Sequence, residues 1–166
     1  AGNHLSVENG IWTLRLIPGR LISGSFDLWL PGGNAIGSQT RFFSPAADTT
    51  LTIPSTARSA ITVGAYDPRL SSYASFSGRG YTRILHEIKP DLAAPGVNIP
   101  APRSGGGYAS FTGTSFATPF VSGSAALMME WGILRGNDPF LYGEKLKAYL
   151  IAGAKPIASE SEYPNR

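Results

Sequence analysis

The sequence predicts an α/β unit preceded by a partial antiparallel β piece, and three observations predict it. Two closely spaced runs near the start, at residues 11–17 and 25–30, alternate apolar and polar side chains. Short β-rich runs broken by proline and glycine follow from about residue 59. The chain then closes on two segments whose apolar residues recur at helical spacing. A period of two is the mark of a half-buried strand, and a period near 3.6 that of a helix with one apolar face.

In the first run Trp12, Leu14 and Leu16 share one face and Thr13 and Arg15 the other. Pro18-Gly19-Arg20 is a turn signal, and Phe26, Leu28 and Leu30 then alternate again before Pro31-Gly32-Gly33-Asn34. Two such strands at this spacing indicate a sandwich-like piece too small to be a domain by itself. Ser59–Tyr66 and Tyr73–Ser77 read as short strands. Lys89–Val97, with Pro90, Pro95 and Gly96, reads as an irregular, stiff segment rather than a strand interior. Tyr108–Phe111 is a last short strand or loop after Gly105-Gly106-Gly107. Val121, Ala125, Met128 and Met129 carry the first helix, with small residues on several sides, and Gly132 and then Gly136-Asn137 mark its end. Asp138 is suited to cap a second helix, with Pro139 at its first position. Tyr142, Leu146, Tyr149 and Leu150 form its stripe, and Gly153 falls where a left-handed C-cap would lie.

Composition narrows the function. With no cysteine there is no disulfide framework, thiolate nucleophile or cysteine metal site. The net charge of +3 comes from scattered basic residues, so no patch points to nucleic acid, and no apolar stretch is long enough to span a membrane. No acidic cluster suggests calcium, so no metal or other cofactor is expected. Compartment stays open.

One string carries chemistry: Thr112-Gly113-Thr114-Ser115-Phe116-Ala117-Thr118-Pro119. Ser115 sits where Gly113 lets the backbone turn sharply into the first helix. The opening amides of a helix lack intrahelical partners and carry partial positive charge, so a serine there presents its hydroxyl beside donors fit for an oxyanion. A plain N-cap would account for the serine equally well. The whole string, "GTSFATPFVSG", resembles the active-serine motif of subtilisin-like serine proteases, with Phe116 and Phe120 in place of that family's Met and His. Upstream, "AITVGAYD", "YASFSGRG" and "KPDLAAPGVNI" resemble further family motifs in the family's order, and "SAALMMEWGI" is most similar to Csp-type subtilases.

The resemblance implies a parallel sheet flanked by helices over residues 51–158. It makes residues 1–50 the end of a jelly-roll-like insert and leaves 159–166 as a tail. It implies that Ser115 is the nucleophile of a Ser-His-Asp triad and that its own N–H is one oxyanion donor. The family's Asp and His motifs, D-S/T-G and H-G-T, do not occur here. Those two residues are expected on an N-terminal half, and this chain alone is expected to be inactive. His86, beside Glu87, stands in the wrong context for the base and reads as a surface histidine; His4 has no such context either. Ala1-Gly2-Asn3 has two readings: the family's oxyanion motif, with Asn3 as side-chain donor, or a loop of the insert. The implied partners are a protein or peptide substrate and the N-terminal half of the protease or a propeptide, in an extracellular or spore-associated setting. The alternative is a non-catalytic pseudoprotease or a β-rich interaction module.

Overall fold

The computed structural model describes residues 9–157 apart from 21, 32 and 38. The chain divides into two compact units, Ala1–Phe43 and Ser44–Arg166.

In the first unit the one regular element among the described residues is a single helical turn, α1 (Gly33–Ile36). The strands expected at 11–17 and 25–30 are not formed, and neither is the antiparallel pair they would make. Trp12 is 70% and Phe26 62% exposed, so neither alternating face is buried. Alternation shows which side chains are able to share a face; a strand forms only where a ladder partner and an opposing layer cover it.

The second unit holds the α/β arrangement. Its sheet has the order β2-β1-β3, built from β1 (Val63–Asp67), β2 (Ser72–Tyr73) and β3 (Leu92–Pro95). β1 and β3 run parallel in the register Val63↔Leu92 to Tyr66↔Pro95, while β2 pairs antiparallel at Tyr66↔Tyr73. The segment read as too proline-rich for a strand is therefore β3. Pro90 lies before it and Pro95 is its last residue, which leaves Leu92, Ala93 and Ala94 free to pair, and β3 is an edge of the sheet. A separate ribbon joins β4 (Ile99–Pro102) to β5 (Tyr108–Phe111). Pro100 and Pro102 share one parity in β4, where an antiparallel strand turns its N–H groups away from the partner.

Helix α2 (Thr114–Met129) crosses the sheet on small residues. Ala65, Ala74, Leu92, Ala94, Ala117 and Val121 form the core, with Ile61, Val63, Val97 and Leu150 packed against it. α2 runs on through Gly132 as a widened turn, Glu130–Leu134, and the chain leaves it at Gly136, which has φ of 74°.

The last helix, α3 (Gly143–Gly153), starts later than Asp138 and Pro139 indicate. Asp138 does not cap it. Its carboxylate instead accepts from Lys145 Nζ at 2.6 Å and Tyr149 Oη at 3.1 Å. Lys145 holds the Asp138 carboxyl below its ordinary 3.8, and Asp138 holds the Lys145 ammonium above its ordinary 10.5. The lock is lost only as pH falls through the lowered value or rises through the raised one. At the other end Gly153 is still helical, and the cap is Ala154 in extended backbone, so the expected left-handed cap is absent. The Ala154 N–H is already satisfied by Ile151 O at 3.2 Å.

A buried ionic cluster joins these parts. Asp91 Oδ2 accepts from Lys89 Nζ at 2.8 Å and from the Thr62 N–H at 2.7 Å, and Asp91 Oδ1 pairs with Lys147 Nζ at 2.8 Å. The Asp91 N–H donates back to Thr62 O at 2.9 Å, which extends the parallel ladder by one step. Burial pushes the Lys89 ammonium below its usual 10.5, against the bond to Asp91. The sign is therefore unfavourable at neutral pH, and this penalty is relieved as pH rises through the lowered value toward 10.5. Asp91→Ala should destabilise the chain by about 3–5 kcal/mol, since it leaves a buried cation without its anion. Urea unfolding followed by circular dichroism measures this; a loss near zero would show that the cluster does not hold the fold.

Candidate active site

Ser115 is the second residue of α2 and is exposed. Its position follows from a relay of close backbone contacts. The Gly96 N–H donates to Tyr66 O at 3.0 Å, at the ends of β1 and β3. The Gly113 N–H donates to Gly96 O at 2.8 Å, and Gly113 O accepts the Phe116 N–H at 3.0 Å to open the helix. Gly113 has φ of 155° and ψ of 159°, a region open essentially to glycine alone. Below the turn Ala117 is fully buried, and beside it Phe116 stacks on Phe111 with ring centroids 5.0 Å apart. The serine is thus carried on a helix start pinned to the sheet on one side and to the ribbon on the other.

Pro119 lies inside α2, where its ring faces the carbonyl of the residue four back, Ser115. Pro119 is the sixth residue of α2 and has no N–H, so one ladder bond is lost, the one that would end on Ser115 O. As a first-turn residue, Ser115 has an amide with no intrahelical acceptor, and that amide points out of the helix start with the dipole behind it.

Ser115, Thr114 and Thr118 line a cleft of about 400 Å³ that is also lined by residues of the segment from Thr50 to Val63 and by Ser77, Gly78 and Pro90. Hydroxyl-bearing and short apolar side chains line it, and among the described residues no charged side chain does. Among the described residues, then, no histidine or carboxylate lines the cleft of the Ser115 hydroxyl. His86 sits elsewhere, on the turn closed by its own N–H to Thr82 O at 3.0 Å. It is exposed, with φ of 50°, and its ring is 6.5 Å from that of Tyr81. Asn3 lies outside the described residues.

The family profile described as "Subtilase family" matches residues 31–164. The chain belongs to the subtilase family. It is 38% identical over 124 residues to the serine protease AprX of Bacillus subtilis (strain 168), a match covering 63% of this chain and 26% of that protein. Among solved structures it is similar to the CspB protease of Clostridium perfringens, with a TM-score of 0.70 and 50% identity over 76% of this chain and 27% of that one. It is also similar to the self-cleaved protease domain of PatA, with a TM-score of 0.55, 35% identity and coverage of 68% and 40%. This subtilase chain thus spans about a quarter of the length of AprX and of CspB. The Csp-type resemblance and the α/β class with a parallel sheet hold.

The cleft wall and the ion cluster behind it escaped the sequence reading. Lys89-Pro90-Asp91 stands in the sequence as a string, but nothing local links it to Lys147 on the last helix.

The relay predicts a tight spot at Gly96. A Cβ built there would lie 2.5 Å from Ala65 Cβ and 3.1 Å from Gly113 O, both in packed structure. Gly96→Ala should cost about 1–3 kcal/mol through overpacking. Thermal unfolding checks this; an unchanged midpoint would mean that the approach of β3 to the start of α2 is looser than described.

Proposed function

We propose that Ser115 is the nucleophile of a subtilase that hydrolyses peptide bonds, with the triad Asp and His supplied by sequence outside these 166 residues. The observation that carries this reading is the exposed serine on the first turn of α2, lining a cleft in which no charged side chain is found among the described residues, beside a helix amide without an intrahelical acceptor.

A serine hydroxyl is a weak nucleophile until a base takes its proton. With the base in place, Ser115 Oγ attacks the substrate carbonyl carbon and its proton passes to the histidine. The Ser115 N–H then donates to the oxyanion, aided by the helix dipole. Collapse of the tetrahedral species breaks the C–N bond, the histidine hands its proton to the leaving amine, and water repeats the sequence on the acyl-enzyme. Asn3 is proposed as the second oxyanion donor if Ala1-Gly2-Asn3 is the family's motif. The substrate is a protein or peptide, and the partner of this chain is the rest of the protease domain. Residues 1–50 are assigned to an insert, 51–158 to the catalytic domain and 159–166 to a tail.

The chain alone is inert on this reading. Loss of the base by itself costs about 10⁶-fold in turnover in subtilisin, a member of this family. A small fluorophosphonate probe should label Ser115 in the protein that carries the Asp and His and leave the 166-residue chain unlabelled, and Ser115→Ala should abolish labelling. Strong labelling of the chain alone would point to another base, His86 first. An unlabelled full-length protein would favour a pseudoprotease.

A further inference from the structure

The cleft that Ser115 lines is also walled by Thr52, Pro54, Ser55 and Ala60, in a segment built of turns, without strand or helix. Such a segment has little regular hydrogen bonding of its own to fix its shape. Side chains hold it from behind. Thr62 Oγ1 donates to Ser55 O at 2.6 Å, and Lys89 Nζ donates to Ala60 O at 2.7 Å. From the far end of the chain, Lys147 Nζ donates to Arg58 O at 3.0 Å and Ala60 O at 3.1 Å while it pairs with Asp91 Oδ1 at 2.8 Å. An ammonium has three protons, and here each has an acceptor.

We propose that Lys147 is a positioning residue for substrate binding: it ties the Arg58 and Ala60 carbonyls to the Asp91 carboxylate and so fixes the wall on which the substrate lies. The inference rests on the reading of Ser115 as nucleophile. Lys147 differs from the other members of the cluster in what its removal leaves. Lys89 and Asp91 are 2% and 6% exposed and stand just before β3, whereas Lys147 is 17% exposed and reaches in from α3. Without it Asp91 keeps Lys89 and the Thr62 N–H, so the sheet keeps its own contacts. α3 in turn is fixed by Leu146, which is buried, and Leu150, which packs on the core, so the ammonium is delivered from a settled helix. Loss of a contact that shapes the binding surface equally in ground and transition states raises KM and leaves kcat alone.

The test uses the full-length protease. Lys147→Met should raise KM for a peptide substrate roughly tenfold, about the effect of one lost charge-assisted hydrogen bond, with kcat within about twofold. Labelling of Ser115 by a small fluorophosphonate should be unchanged, and Lys147→Arg, which keeps charge and donors, should restore KM. Hydrogen exchange of the amides at 55–60 should quicken roughly tenfold in Lys147→Met while those of α2 hold. An unchanged KM, or exchange that quickens equally across the domain with kcat falling as KM rises, overturns the proposal. Failure of the wild-type protein to label overturns the reading of Ser115 instead, and the exchange experiment still decides whether Lys147 braces the wall.

Discussion

One buried carboxylate sets the geometry on which the rest of the second unit depends. Asp91 is 6% exposed at its side chain, and a carboxylate so far from water is tolerable only when its lone pairs are occupied. Two ammonium groups and a backbone amide occupy them here. Each donor belongs to a different piece of structure: Lys89 to the approach to β3, Lys147 to α3, and Thr62 to the start of β1. The parallel register, the helix position and the shape of the turn segment are therefore referred to one group. This is a directional constraint, unlike the apolar core, and it accounts for how a segment without regular structure comes to stand in a defined place.

The second constraint is steric. The sheet and α2 meet through Ala65, Gly96 and Ala117, and a side chain at Gly96 would run into Ala65 and the Gly113 carbonyl, while Gly113 is required for its backbone conformation. Close approach is what brings the helix start, and with it Ser115, to the carboxyl ends of β1 and β3. α2 is apolar on most of its circumference yet buries only Ala117 and Val121 fully; Leu127 is 68% and Phe120 46% exposed. A helix of that composition is suited to enclosure on all sides. The two constraints act on two parts of one cleft, the carboxylate on the turn segment and the small residues on the helix start.

The sequence by itself determined the family, the serine at the helix start, β1 and the existence of both helices in the second unit. These depend on local strings and short periodicities, in which residues that matter to one another lie within a few positions. Tertiary structure decided the rest. It made a strand of Leu92–Pro95 despite its prolines, because an edge strand bounded by proline still pairs through its middle. It left the alternating runs at 11–17 and 25–30 outside any ladder, because alternation without a covering layer buries nothing. It drew Asp138 from capping α3 to binding Lys145 and Tyr149, since a carboxylate goes to the strongest donors within reach. And it brought Lys147 to Asp91 and the Arg58 carbonyl, a meeting between residues far apart in the chain, which no local pattern encodes and only the packing of α3 against the core creates.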